Sequence, residues 1–436
     1  MAEKEKNIIT KSETICPFPW MHLHAWPDGK AMLCCVANGG DNIGEVGDFS
    51  TNSYKEIINN DKLKQIRLDM MAGKQVKYCQ SCYAHEKLDG QQQSFRQGSL
   101  HTYQDVFESL LEDTEEDGTL KNPKLLYMDF RFSNLCNLGC QTCGGQLSST
   151  LANNDVLQNR YPHRHAELIN KGVLSERGTI TSFVYARPNF MQEDVYQYID
   201  EVRGFYFAGG EPLMSKEHLD ILMYLDENKL YNKSITYSTN LSLLKWKKKD
   251  FIPIWEKFDH IHFLCSIDGQ GKILEYTREY SKHDIIFSNL RTLIDSRKKI
   301  KKHRISIIYT HSIYNCYNTA EFFEYLDSSG FLDDLDNCIF NQAFGNENSL
   351  KNLPDFAKKE LIQKREHDRL NSSVQKAFKL FPDFETYWNL IGDTIEEERD
   401  EKIFRSLSLK NMNPANEKFK ENMPWLYNVI TRQYIV

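Results

Sequence analysis

From Leu125 onward, short runs of aromatic and β-branched residues alternate with longer stretches whose apolar residues recur at helical spacing. This alternation predicts βα units and a parallel sheet. The runs that predict strands are LLYMDFRF, GFYFA, SITYST, IHFLCSI, RISIIYT and CIFNQAF. Because each run but the last is followed by enough chain for a crossover helix, we expect an α/β fold with a partial (β/α)6 TIM-like barrel.

The segments on either side of this region have different patterns. Near the start, HLHA and KAML flank the turn sequence WPDG, which is typical of a β-hairpin. After Gly345 the chain reads as helices, for example PDFAKKELIQKREHDRL and FETYWNLIGDTIEEERDEKIF. We therefore expect a small N-terminal unit over 1–90, a polar and acidic linker over 91–122, the barrel over 123–345, and a helical C-terminal region over 346–436.

Composition and charge narrow the classes of function. The 436 residues are 40% hydrophobic and 26% charged, as in soluble globular chains, and the formal net charge of -7 does not predict broad attraction to nucleic acid or anionic lipid. No uncharged apolar run approaches the ~20 residues that span a bilayer, and the first residues lack a signal-peptide pattern. We expect a cytoplasmic protein with neither a membrane nor a nucleic-acid partner, in which grouped cysteines indicate metal binding or catalysis.

The clearest cysteine pattern is SNLCNLGCQTCGG, directly after the first predicted strand. Here Cys136, Cys140 and Cys143 have the spacing C-x3-C-x2-C. Three thiolates in one loop can hold a [4Fe-4S] cluster and leave its fourth iron open to a small molecule. A zinc knuckle or three unpaired thiols are the alternatives, although zinc requires a fourth ligand that the nearby sequence does not offer.

This loop resembles the cluster loop of the radical S-adenosylmethionine (SAM) superfamily. The resemblance extends to the ends of the following predicted strands and implies a set of SAM contacts: Gly209, Gly210, Glu211 and Pro212 at the amino group, Ser266 and Arg278 at the carboxylate, and Asn240 near the ribose or amino acid portion. Each of these residues alone also fits a turn or a surface position. Thr142 departs from the family pattern, in which the residue before the third cysteine is commonly aromatic. Asp268 is a weak candidate for the catalytic acid or base.

A second cysteine pattern lies in the N-terminal unit. Its predicted ligands have the spacing C-x12-G-x4-C followed by C-x2-C, and they are Cys16, Cys34, Cys79 and Cys82. The pattern resembles a twitch domain, the shortened form of the SPASM domain, which implies an auxiliary [4Fe-4S] cluster, here N-terminal to the core. On chemistry alone a four-thiolate zinc site fits equally well. Cys35 is an alternative ligand, although the spacing to Gly29 favours Cys34.

The remaining cysteines and the nearby histidines have simpler interpretations. Cys265, Cys316 and Cys338 fall in or just after predicted strands, so we expect small buried hydrophobic side chains. His22, His24 and His85 are expected to be packing or surface residues rather than metal ligands.

The resemblance implies a radical SAM oxidoreductase or maturase. Such an enzyme cleaves SAM reductively at the first cluster and abstracts hydrogen from a peptide or a small-molecule substrate. The auxiliary cluster favours net oxidation or crosslinking, and an electron donor such as flavodoxin or ferredoxin is implied. The alternative from another class is a zinc-stabilised binding or adaptor protein on a degenerate barrel.

Overall fold

The computed structural model describes residues 12–37, 44–87, 93–157, 175–176, 179–180, 183–298, 302–343, 348–396 and 417–434. The chain forms two compact units. Unit 1 consists of Met1–Leu135 and Ala152–Thr236, and unit 2 consists of Cys136–Leu151 and Tyr237–Val436. The loop that contains the three closely spaced cysteines therefore belongs to unit 2.

The described strands, in chain order, are β1 (His22–Ala25), β2 (Lys30–Met32), β3 (Glu45–Asp48), β4 (Tyr127–Phe130), β5 (Gly139–Cys140), β6 (Gly204–Phe207), β7 (Ser234–Thr239), β8 (Lys245–Trp246), β9 (Lys249–Asp250), β10 (His260–Ser266), β11 (Arg278–Glu279), β12 (Arg304–His311) and β13 (Asn337–Gln342). All six strands predicted from the barrel sequence are present, as β4, β6, β7, β10, β12 and β13. The mixed α/β class is thus confirmed, and closure into a six-stranded barrel stays a prediction.

The described α-helices, in chain order, are α1 (Phe18–Met21), α2 (Tyr54–Ile58), α3 (Asp61–Met71), α4 (Gln80–His85), α5 (Phe95–Glu112), α6 (Ser149–Leu157), α7 (Lys216–Glu227), α8 (Ile252–Trp255), α9 (Gly271–Thr277), α10 (His283–Arg297), α11 (Thr319–Ser328), α12 (Asp355–Asp368), α13 (Ser372–Leu380), α14 (Pro382–Glu396), α15 (Glu417–Asn422) and α16 (Pro424–Tyr434). The segment predicted as a linker contains α5. The second helix predicted after Gly345 is α14, and its predicted continuation over 397–404 lies outside the described residues.

In unit 1, the predicted N-terminal hairpin adds to a parallel sheet. Strands β1 and β2 pair in antiparallel fashion, and β3 follows β2. On its other side β1 pairs in parallel with β4, with His24 opposite Asp129, and β4 pairs in parallel with β6. One side of β4 carries an aromatic cluster, since the ring of Phe130 packs against those of Phe49 and Phe190 at centroid distances of 5.0 and 6.0 Å.

In unit 2, β12 lies between β10 and β13, and both pairings are parallel. The Trp255 ring on α8 packs on the rings of Tyr237 and Phe263, at 5.4 and 4.8 Å. The C-terminal helices share a second apolar core with the segment after β12, in which Ile313, Leu361 and Ile430 are fully buried. The C-terminal helices therefore pack against the segment that directly follows β12, within the same unit. The three isolated cysteines, Cys265, Cys316 and Cys338, are buried.

Candidate metal centres

The cysteine loop of unit 2 is fixed first at Cys136. Its backbone N–H donates to the hydroxyl of Ser149 at 3.1 Å, and its carbonyl accepts from the hydroxyls of Ser149 and Thr150 at 3.2 and 2.7 Å. These two residues begin α6, so hydroxyls at the start of a helix hold the backbone of the first cysteine. The backbone of Cys136 is thus oriented independently of any metal.

The middle of the loop is fixed by a short strand pair. In β5 and β11, Cys140 lies opposite Arg278, and the next backbone N–H, that of Gln141, donates to the carbonyl of Thr277 at 2.8 Å. Across this pair, Nη1 of Arg278 lies 3.8 Å from Sγ of Cys140 in donor geometry. Residues more than a hundred positions apart therefore meet at one sulfur.

Arg278 is held by a buried carboxylate. Its Nε lies 2.8 Å from Oδ2 of Asp268, whose side chain is fully buried. The other oxygen of Asp268 accepts from the backbone N–H of Thr310 at 2.8 Å, and Asn315 donates to the Asp268 carbonyl at 3.0 Å. Asp268, the weak catalytic candidate, is thus engaged in orienting Arg278, and a catalytic role for it stays a prediction.

Asn240 approaches the first cysteine. It follows β7 directly, and its Nδ2 lies 3.8 Å from Sγ of Cys136 and 3.1 Å from Oδ1 of Asn137. Its Oδ1 accepts from the backbone N–H of Ser242 at 2.9 Å. Asn240, Asp268 and Arg278 are therefore gathered around the loop, as their order along the sequence predicts. Ser266 ends β10 in the same unit, half-buried.

Burial and a neighbouring guanidinium act in opposite directions on the thiols of the loop. Burial raises the pKa of the Cys140 thiol to about 11, although the neighbouring guanidinium of Arg278 opposes this rise. Without a metal this thiol is neutral at pH 7, whereas iron binds the thiolate and displaces the proton. Three thiols from one loop, two of them facing N–H donors, match the donor set of a [4Fe-4S] cluster.

The GGEP segment lies in unit 1 and supports the chain just before Cys136. Gly209 has φ of +120°, a backbone conformation that favours glycine. A Cβ on Gly210 would overlap the carbonyl oxygen of Leu135, and the N–H of Glu211 donates to that same carbonyl at 2.7 Å. Pro212 then opens a 3-10 helix over Pro212–Met214. The glycines allow close approach between two backbone segments, whereas a SAM contact by GGEP stays a prediction.

The second candidate centre lies in unit 1. A small pocket is lined by all four predicted ligands, by apolar and aromatic side chains and by one arginine: Cys16, Phe18, Leu33, Cys34, Val36, Ala37, Tyr78, Cys79, Cys82, Phe95 and Arg96. Cys35 is absent from this lining, and the charged groups that act most on its thiol are Asp129 and Arg131, although Cys82 also acts on it. The lining therefore supports Cys34 over Cys35 as the ligand.

Burial is the largest influence on the pKa values of the thiols in this pocket. It raises the pKa of the Cys16 thiol to about 12 and that of Cys34 well above its ordinary value, and neighbouring cysteines raise both further. Arg96 opposes the rise at Cys16 and is itself tied to Glu86 at 2.6 Å. Four thiols in an apolar pocket fit a fully ligated iron–sulfur cluster or a four-thiolate zinc ion. Among the described residues, no group of three His, Cys, Asp or Glu side chains has the spacing of a ready-made site for a metal ion.

Two histidines expected to be packing residues belong to a buried polar group that the sequence analysis did not identify. The Nδ1 of His22 contacts the carbonyl of Tyr127 at 2.9 Å, and the Nδ1 of His24 contacts the carboxylate of Asp129 at 2.9 Å, with both side chains of this pair fully buried. The alternation of polar and apolar residues in HLHA and YMDF could have indicated a polar face. The register that brings this pair together has no local sequence signal.

Comparison with known proteins bears first on unit 1. Residues 16–83 match the SPASM family, described as an iron–sulfur cluster-binding domain. The matched range begins at Cys16 and includes Cys34, Cys79 and Cys82. No curated protein matches the chain. None of the helices in the described part of the chain is both long and apolar enough to cross a membrane.

Solved structures give weak likenesses. TYW1 with a lysine-pyruvate adduct is 14% identical, with a TM-score of 0.29 over 57% of this chain and 72% of that one. Streptococcus suis SuiB bound to S-adenosylmethionine is 13% identical, with a TM-score of 0.33 over 72% of this chain and 64% of that one. The anSMEcpe complex with AdoMet and Cp18Cys peptide is 18% identical, with a TM-score of 0.31 over 55% of this chain and 61% of that one.

These likenesses are too weak to assign a function, and the informative match is the one over residues 16–83. The SPASM match over 16–83 accounts for the N-terminal cysteine pattern. The other cysteine group is the C-x3-C-x2-C loop that follows β4, where Asn240 and Arg278 contact two of the sulfurs. The family match over 16–83 thus identifies an iron–sulfur cluster-binding domain in unit 1.

Proposed function

We propose that the chain is an oxidoreductase or maturase that reductively cleaves SAM at a cluster held by Cys136, Cys140 and Cys143. The observation that carries this proposal is the convergence of Asn240 and Arg278 on two sulfurs of the loop, each at 3.8 Å. A structural zinc knuckle closes its coordination with a fourth protein ligand, which the nearby sequence of this loop does not offer. A three-thiolate loop with such donors suits a cluster that keeps one iron open.

When bound, the cluster and SAM supply an electron and a 5′-deoxyadenosyl radical that abstracts hydrogen from substrate. The chain's own residues orient two of the cysteine ligands and Arg278. Hydroxyls at the start of α6 hold Cys136, the β5–β11 pair holds Cys140, and Asp268 holds Arg278. The assignments of Gly209, Gly210, Glu211 and Pro212 to the SAM amino group, of Ser266 and Arg278 to its carboxylate, and of Asn240 to its ribose or amino acid portion belong to this proposal.

We assign the auxiliary cluster to Cys16, Cys34, Cys79 and Cys82. With four protein ligands such a cluster has no open iron for substrate, and its chemistry is then electron transfer. A cluster held by these four cysteines would accept the second electron of a net two-electron oxidation, in which the substrate loses a hydrogen atom, an electron and a proton to solvent. Dehydrogenation or crosslinking of a peptide or a small molecule follows from that balance. A flavodoxin or ferredoxin would supply the electron that begins turnover.

The test is SAM cleavage by the full chain, purified and reconstituted without oxygen. With dithionite, we expect 5′-deoxyadenosine and methionine in equal amounts. Cys136→Ala should abolish both products, whereas Cys79→Ala, at the other centre, should retain cleavage. Cys338→Ala is the matched control, because this cysteine is buried in β13 and belongs to neither centre. Cleavage that survives Cys136→Ala would contradict the proposal.

A further inference from the structure

Two side chains donate to the sulfurs of the cysteine loop in unit 2. Asn240 reaches Sγ of Cys136 and Arg278 reaches Sγ of Cys140, both at 3.8 Å. Both donors are largely shielded from water, with relative exposures of 7% and 9%. The third cysteine differs, since Cys143 is exposed and its thiol faces the carbonyl of Gly144 at 3.6 Å. Within the described residues, such side-chain donors therefore face two of the three predicted ligands.

The orientation of the Asn240 amide is determined by its other contacts. Its Oδ1 accepts from the N–H of Ser242 at 2.9 Å, and its Nδ2 also donates to Oδ1 of Asn137 at 3.1 Å. A flipped amide would bring Nδ2 against the N–H of Ser242 and Oδ1 against both the oxygen of Asn137 and the sulfur of Cys136. The N–H side therefore faces the sulfur.

The orientation of Arg278 is equally constrained. Its Nε is paired with the buried carboxylate of Asp268 at 2.8 Å, and its backbone lies opposite Cys140 in the β5–β11 pair. A guanidinium with Nε occupied still has four N–H bonds on its two Nη atoms. One Nη therefore points at the sulfur while the carboxylate keeps the plane of the group fixed.

Hydrogen bonds to the sulfurs are one of the means by which a protein sets the potential of an iron–sulfur cluster. A reduced cluster has one more negative charge, so an N–H donor at a ligand sulfur stabilises the reduced state more than the oxidised state. We propose that Asn240 and Arg278 are positioning residues that raise the reduction potential of the SAM-binding cluster through the sulfurs of Cys136 and Cys140. This inference rests on the proposed function and gives these residues a role besides the SAM contacts implied by the resemblance.

The experiment is a potentiometric titration of the reconstituted full chain without SAM, followed by electron paramagnetic resonance. The signal that changes when SAM is added afterwards identifies the relevant cluster. In Asn240→Ala, the ratio of reduced to oxidised cluster at the wild-type midpoint should fall about tenfold, which is about 59 mV for one electron. In Asn240→Asp this ratio should fall further, because the substitution replaces the donor with a negative charge. Ser242→Ala is the control with an unchanged midpoint, since it removes two side-chain contacts with Asn137 and leaves the backbone N–H of Ser242 that orients Asn240.

The outcomes separate the inference from the proposed function. Asn240→Asp keeps the oxygen that accepts from Ser242, so it tests the donor even if the alanine variant fails to load iron. In the loaded variants, a ratio of reduced to oxidised cluster that stays within twofold of the wild-type ratio at the wild-type midpoint overturns the inference. A variant that binds SAM more weakly with an unchanged midpoint also overturns it and leaves Asn240 as a SAM contact only. A wild-type chain in which this loop takes up no iron overturns the proposed function itself.

Discussion

Removal of the Asp268 carboxylate tests how the cysteine loop is supported. Asp268 is fully buried and contacts Arg278 through one oxygen and the backbone N–H of Thr310 through the other. Asp268→Ala would leave a largely buried guanidinium without its counter-charge and a backbone N–H without its acceptor. Both losses destabilise the folded state, because water cannot replace the missing partner at either place.

The magnitude follows from these two losses. Breaking a buried ion pair by removing one partner costs about 3–5 kcal/mol, and an unsatisfied buried N–H costs about 1–3 kcal/mol. Since the two terms share one side chain and are not additive, we expect Asp268→Ala to lower the free energy of unfolding by about 4 kcal/mol. Asp268→Asn keeps the acceptor for Thr310 and should cost less. The double variant Asp268→Leu/Arg278→Met should recover much of the loss, because it leaves no unpaired charge.

The assay is urea unfolding of the iron-free chain under reducing conditions, followed by tryptophan fluorescence. The midpoint should move to lower urea in Asp268→Ala with little change in slope, since the surface exposed on unfolding is the same. The double variant should lie between Asp268→Ala and wild type. A loss below about 1 kcal/mol for Asp268→Ala, or a double variant as unstable as the single one, would refute the reasoning that the pair is buried and mutually dependent.

Three further predictions concern other parts of the chain. Gly210→Ala should lower the free energy of unfolding by about 3 kcal/mol, because its Cβ would overlap a backbone carbonyl. Gly98→Ala in α5, which has open space at its Cβ, should raise the free energy of unfolding by about 0.5–1 kcal/mol. Thermal unfolding of both variants checks this. Cys34→Ala should remove about four irons per chain and Cys35→Ala none, as iron analysis would measure; equal losses would contradict the pocket lining. Burial lowers the pKa of His218 to about 3, so the unfolded state binds the extra proton, and stability is lost as pH falls below about 6.5. His218→Phe should weaken this loss by about 2 kcal/mol between pH 6.5 and 5, and an unchanged slope of stability against pH would oppose it.

The sequence was sufficient to predict elements whose signal is local. β-branched and aromatic runs predict all six barrel strands, and WPDG predicts the β1–β2 hairpin. Each of these signals depends on residues within one segment. The boundaries agree within a few residues for the same reason, since turn residues end each run.

Contacts between distant segments had no such signal. The parallel pairing of β1 with β4, which extends the sheet of unit 1 with an N-terminal strand, depends on a register between residues about a hundred positions apart. The contacts of Arg278 are a second example of interactions that local sequence does not predict. The resemblance implies a contact between Arg278 and the SAM carboxylate, whereas the pairing of Arg278 with Asp268 and its contact with Cys140 depend on tertiary packing.

The central claim is that this chain holds two iron–sulfur clusters of different kinds. The most direct measurement is metal content per chain after anaerobic reconstitution, together with the same measurement on the Cys136→Ala/Cys140→Ala/Cys143→Ala variant. We predict about eight irons in the wild type and about four in the variant, with no zinc in either. About four irons in the wild type with one zinc would return the N-terminal site to zinc, and a colourless chain without iron would contradict the claim altogether.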